Sequence, residues 1–260
     1  MLETLLLNQF GAFVLVLARV GAVVATAPLL STKAAPMHVR VVLAVALSLM
    51  VAPLFGAAPP VSVLDSAAFG WHLASEALLG SLLGLGVTIL LSGIQLTGQI
   101  ISQLGGTAIS ESFDPSLDES VPIYSQLFYF LALVMFVLLD GHEMIIEALL
   151  ETYKWLPPGR AGWGATYTDA AVTLLSQSFL LGIRAAAPAM TALLLATLVL
   201  GLIGRTMPQI NVLAVGFSVN AFTTLACLVV SIGAIALTFP QRAVDAITVI
   251  RDAIAAGNGV

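Results

Sequence analysis

Residues Phe69 to Leu104 read FGWHLASEALLGSLLGLGVTILLSGIQLTGQIISQL. Glu76 is the one carboxylate in this stretch, and it contains no lysine, arginine or proline. A helix that crosses the hydrocarbon core needs about 20 apolar residues. This run exceeds that length, and it lacks the strict apolar-polar alternation of a barrel strand. It is therefore helical, either as one long tilted helix or as a pair broken at one of its glycines, Gly80, Gly84, Gly86, Gly93 and Gly98.

The rest of the chain has the same character. Of 260 residues, 59% are hydrophobic and only 9% charged, and the mean hydropathy is +1.05. Soluble domains carry about a quarter charged residues. The apolar surface must be covered by lipid, by neighbouring subunits, or by both. With no polar linker or low-complexity tract, the chain reads as a single membrane domain over 1–260.

The apolar runs predict an all-α integral membrane protein with about six long helices, some of them broken or kinked. The first extends from Asn8 to about Ala27, before Pro28, and the second from His38 to about Ala52, before Pro53. The Phe69 to Leu104 run is the third. The fourth runs from near Pro122 to about Tyr153, and the fifth from Asp169 to Gly204, with a kink at Pro188, because proline removes a helix donor and clashes with the preceding turn. The sixth follows Pro208 and ends near Phe239, where Pro240 precedes a short amphipathic tail.

Basic residues near span ends mark the cytoplasmic side. Lys33 and Arg40 place the first loop inside. A single crossing by the third run then puts Lys154, Arg160, Arg242 and Arg251 outside, whereas a run that enters and returns puts them inside. The charges favour the second arrangement, although about 36 residues leave little room for two crossings. No Lys or Arg precedes Arg19, so the N-terminus lacks the basic region of a cleaved signal peptide, and the first run is expected to stay as a helix. Cys227 is the only cysteine and reads as a small core hydrophobe.

Several function classes are excluded. The net charge is −5, with basic residues scattered singly, which provides no stripe for nucleic acid. His142-Glu143 is half of a zinc-protease pattern, but Ile146 stands where the second histidine belongs. There is no nucleophile elbow and no phosphate loop, so the chain reads as no enzyme and calls for no cofactor.

Four polar features remain. Ser92, Gln95, Gln99 and Gln103 fall at helical spacing and form one stripe at the end of the third run. Such groups either bond neighbouring helices or line a wet cavity. Gly105 to Val121 carries Glu111, Asp114, Asp118 and Glu119 with no cation, and Asp114-Pro115 marks a turn. Asp140, Glu143, Glu147 and Glu151 line one helix face, to be covered by water or by a cationic partner. Arg19 and Arg184 stand inside apolar runs, where a charge costs about 2.5 to 3.5 kcal/mol. Each needs an acid, carbonyls or water, and Glu76 is one candidate partner. The pair Gly80 and Gly84 is a small-xxx-small contact site.

Three stretches taken together resemble the FliR/SctT family of export-gate subunits of flagella and injectisomes. They are Gly98-Gln-Ile-Ile-Ser-Gln-Leu-Gly105 leading to Phe113-Asp-Pro115, then Asp140-Gly-His142, then Leu200-Gly-Leu-Ile-Gly-Arg205 with Met207-Pro-Gln-Ile-Asn211 and Val215-Gly-Phe217. Arg19 and Pro28 extend the likeness over nearly the whole chain. After Phe217 the family commonly places a proline and then a lysine, where Ser218 and Asn220 stand here.

The resemblance implies a subunit packed in a larger helical gate at the flagellar basal body of the bacterial inner membrane. P- and Q-type companions would share that gate, with FlhB-type switch and FlhA-type export subunits as further partners. Unfolded flagellar proteins would pass through it. The loop containing Gly105, Gly106, Phe113, Asp114 and Pro115 would act as its plug. The stripe of Gln95, Gln99 and Gln103 would pack where helices meet around the passage. Arg19, Arg205, Pro208, Gln209 and Asn211 would serve docking or structure. The alternatives are a small-molecule secondary transporter, for which the glycine interruptions and Pro188 speak and the missing internal repeat does not, and a membrane scaffold without a conducting path.

Overall fold

The computed structural model describes residues 2–28, 36–54, 66–106, 122–162, 164–207, 209 and 211–256. Among these the protein is all helix: α1 Leu2–Thr26, α2 Met37–Val51 followed by a 3₁₀ turn at Ala52–Leu54, α3 Ser66–Gly105, α4 Ile123–Leu138, α5 Gly141–Trp155, α6 Ala165–Thr206 and α7 Val212–Ala256. Five of the helices are long and apolar enough to cross a membrane, or six spans if α4 and α5 count as one broken crossing.

The third run is one unbroken helix of 40 residues, about 60 Å long. Its glycines do not break it; they sit where neighbouring helices come close. The re-entrant arrangement favoured by the charges is thus not what forms. The fourth run, expected to be a single helix, is two. Asp140 takes the left-handed conformation at φ 55° and ends the ladder, a backbone state that Asp tolerates better than most residues. α5 then starts at Gly141, packed against the Phe136 ring.

The sixth run does not stop at Pro240. α7 continues through it to Ala256. A proline forfeits one helix donor, but the residues beyond it bury Ala243, Ile247, Ile250 and Ile254 at helical spacing, and that packing carries the helix onward. α6 likewise runs unbroken through Pro188.

The chain forms two compact units. The first comprises 1–90, 136–175 and 243–260, and the second 91–135 and 176–242. The first unit has its core on Val16, Val20, Leu83, Val87, Leu149 and Ile250. α5 buries Ile145, Ala148, Leu149 and Thr152 on one face and leaves Glu143 and Glu147 exposed. The second unit centres on Leu91, Ile94, Ile101, Phe128, Ala189 and Ile235. Of the long helices α3 is the most enclosed: 56% of its apolar span is buried, against 22% for α6 and 33% for α7. Exposed Leu194, Leu198, Leu202, Phe222 and Val229 leave α6 and α7 with wide uncovered apolar faces.

Candidate functional site

In the first unit the buried charge finds its counter-ion. Arg19 Nε donates to Glu76 Oε2 at 2.6 Å, with both side chains fully buried. Arg19 Nη1 donates to Thr152 Oγ1 and to the Leu156 carbonyl, each at 3.0 Å. The other Glu76 oxygen accepts from the Gly159 backbone N–H at 2.8 Å. Gly159 has φ +82°, a conformation that costs glycine nothing and other residues much. The guanidinium lies 4.2 Å from the centroid of the Tyr153 ring, a cation–π contact, and the Tyr153 hydroxyl donates to the Val16 carbonyl at 3.3 Å.

One arginine thus joins α1, α3, α5 and the loop after α5. Gly80 makes room for this centre, since a Cβ there would meet the Arg19 carbonyl oxygen. One turn on, a Cβ at Gly84 would meet Thr26, and Thr88 Oγ1 donates to the Thr26 carbonyl at 2.8 Å. The small-xxx-small pair is an α1–α3 contact.

Arg184, the other intramembrane cation, has no share in Glu76. It lies exposed on α6 in the second unit. Of the acidic face on α5, Glu151 is matched by Arg251 at 2.7 Å, while Asp140, Glu143 and Glu147 remain exposed.

In the second unit the end of α3 is a hub built on glycines. A Cβ at Gly93 would strike Ser178 of α6, and one at Gly182 would strike the Gly93 carbonyl. Thr97 Oγ1 donates to the Gly182 carbonyl at 3.0 Å, so the two backbones touch. On another side Gly98 lies against the Tyr124 and Ser125 backbone of α4, and Ser125 Oγ donates to the Gln95 carbonyl at 3.0 Å. On a third, a Cβ at Gly105 would come within 2.5 Å of Thr224 Oγ1 on α7.

The stripe lies on the remaining face. Ser92, Gln99 and Gln103 are exposed and Gln95 is half-buried. Gln99 and Gln103 thus stand at the surface of the described residues.

α3 ends at Gly106, whose φ of +80° is the left-handed close common at helix C-termini. Both ends of the acidic segment are therefore held on the hub, Gly105 against Thr224 and Ser125 against α3. Phe113, Asp114 and Pro115 lie outside the described residues, as does Pro208. Of the turn between α6 and α7, Arg205 and Gln209 are exposed, and Asn211 caps α7, its Oδ1 accepting from the Ala214 N–H at 3.3 Å. Among the described residues no three His, Cys, Asp or Glu side chains come together to hold a metal.

The pattern that describes bacterial export proteins, family 1, matches residues 10–245. The chain belongs to this family. Its relatives include the flagellar biosynthetic protein FliR of Caulobacter vibrioides, 30% identical across 88% of this chain and 91% of that protein. FliR of Escherichia coli is 31% identical across 77% and 76%. The secretion system apparatus protein SsaT of Salmonella typhimurium is 25% identical across 61% and 62%. Members of the export family are thus found in flagellar biosynthesis and in a secretion apparatus, and this chain is an all-helical membrane protein of that kind. Neither the Arg19–Glu76 pairing nor the break at Asp140 follows from spacing alone, although Asp140-Gly141, a pair suited to a turn, carried the signal for the break.

Proposed function

We propose that the protein is a core subunit of a flagellar type III export gate in the bacterial inner membrane, at the flagellar basal body. With P- and Q-type companions it forms the channel through which unfolded flagellar proteins leave, and FlhB- and FlhA-type subunits work beside it. The observation that carries this reading is the hub at the end of α3. It turns glycines toward three helices of its own chain and glutamines outward. Outward glutamines next to exposed apolar helices suit neighbours that are helices or a wet passage.

The segment between Gly106 and Pro122 is the plug. The residues that flank it, Gly105 and Ser125, are held on the hub, and it carries four acids and no cation. Arg19 serves structure from within the first unit, while Arg205, Pro208, Gln209 and Asn211 form the turn that meets a companion.

Two experiments test the proposal. Co-purification of the tagged protein in mild detergent from cells that express the companions should retain P- and Q-type subunits, whereas a solitary protein would favour the secondary transporter. Deleting part of 107–120 should raise ion leakage through an assembled gate, and unchanged leakage would remove the plug.

A further inference from the structure

From Ala77 to Gly106 α3 carries no charged side chain. Its contacts with α6, α4 and α7 use Gly93, Gly98 and Gly105, and Thr97 and Ile101 are fully buried on the same sides. Gln95, Gln99 and Gln103 fall four residues apart, so they share one row of the helix surface. Among the described residues Gln99 and Gln103 are exposed and Gln95 is half-buried, and half-buried Leu96 and Ile100 border the row.

The spacing of the row identifies the class of ligand. Four residues of helix rise about 6 Å, and a row of i+4 neighbours is inclined by about 26° to the helix axis. The step from one glutamine to the next along the row is therefore about 6.7 Å. An extended chain rises about 3.3 to 3.4 Å per residue, so the backbone groups it turns to one side recur about every 6.7 Å. At each recurrence it presents one N–H and one C=O, and each glutamine carboxamide offers N–H donors and a carbonyl acceptor. Neither partner has net charge, so the two sets of dipoles are complementary, and a passing segment of either sign meets no like charge on this part of α3. A folded helix or hairpin bonds these groups to itself, which leaves only an unfolded chain able to use the row.

We propose that the row of Gln95, Gln99 and Gln103 binds the backbone of an extended polypeptide, taking every second residue through paired amide bonds and reading no side chain. This role rests on the export-gate reading and adds to it what the passage recognises: the peptide group itself, in any sequence except where proline removes the N–H. Main-chain bonds of this kind give affinity without sequence preference. Each is modest in water, so the row holds a chain loosely and lets it move on.

The test uses the assembled gate in cells that express the companions, with an export substrate stalled by a folded domain fused to its C-terminus. Ile100→benzoylphenylalanine places a photo-crosslinker beside the row and leaves all three glutamines intact. Adducts to the stalled chain should form, and their yield should fall about tenfold in Q99M/Q103M, where methionine keeps the shape and loses both amides. The yield should fall likewise when the stalled segment is a run of prolines, and change little when its side chains are exchanged for acidic or basic ones. Equal yields with glutamine and methionine, or with and without the proline run, would overturn the role of the row. Adducts only to a companion subunit, or only within the chain itself, would do the same, while substrate that still co-purifies with the gate would leave the export-gate reading standing. A chain that purifies without companions and without substrate would remove both. Where Q99M/Q103M does not assemble, the proline run in the otherwise wild-type gate decides the question.

Discussion

The two units solve the packing of membrane helices in opposite ways. The first ties three helices and a loop to one buried ion pair, with each Glu76 oxygen and two of the Arg19 nitrogens bonded. The second joins helices by glycine contacts and hydroxyl-to-carbonyl bonds. In the first unit the buried charge is met internally, while Asp140, Glu143 and Glu147 face outward. In the second, Arg184 and Arg205 are exposed, as are Gln99 and Gln103 of the stripe. One unit is thus clamped by a buried ion pair, and the other is joined by close backbone contact.

Removing one partner of the ion pair should break this contrast most severely. Glu76→Ala leaves a guanidinium buried without its counter-ion, a loss of about 3 to 5 kcal/mol. The protein should aggregate or melt far below the wild type in a detergent thermal-shift assay. Arg19→Met with Glu76→Leu should melt above either single variant, and a double variant no better than the singles would deny that the charges are coupled.

Next come the glycine contacts. Gly93→Leu or Gly182→Leu forces apart backbones that touch, costing about 1 to 3 kcal/mol. A comparable substitution at Gly21, where a Cβ has open space, is the control, and Gly21→Ala should stabilise by up to about 1 kcal/mol. Equal melting of the Gly93 and Gly21 variants would mean that α3 and α6 are not in contact. A smaller effect is expected for Arg251→Gln, because the Arg251–Glu151 pair is partly exposed, with side-chain exposures of 36% and 19%; its loss should cost under about 1 kcal/mol and less at high salt.

The smallest change in stability should come from Gln99→Leu with Gln103→Leu, within about 0.5 kcal/mol. Swimming motility in cells that depend on this subunit should nevertheless fall sharply. Normal motility would separate the stripe from export, and a lowered melting temperature would make it part of the subunit's own packing.

How far the sequence could be read follows from which interactions are local. Helical class, the limits of α2 and α3 and the common face of the glutamines depend on apolar run length and a 3.6-residue period, and those are visible in any window. The division of α4 from α5 was hidden because apolarity continues up to Leu139, and only Asp140-Gly141 marks the turn. Pro240 misled for the opposite reason. A strong local breaker was outweighed by tertiary packing of Ile247, Ile250 and Ile254. The pairing of Arg19 with Glu76 rather than Arg184 with Glu76 joins residues 57 apart, and nothing in the intervening sequence records which cation reaches the acid.

That long-range centre also bears on how the protein is made. Arg19 leaves the ribosome well before Glu76, and before Thr152 and Leu156, which follow it by 133 and 137 residues. At a synthesis rate of about 5 to 20 residues per second, the interval is on the order of ten seconds. For the first 57 residues of it α1 carries an arginine without its counter-ion, and until α5 arrives the pair lacks Thr152 and Leu156. The ion pair stays incompletely bonded until Thr152, Leu156 and Gly159 arrive, so a chain that stalls before Thr152 should be a better substrate for membrane quality-control proteases than one that stalls after Gly159.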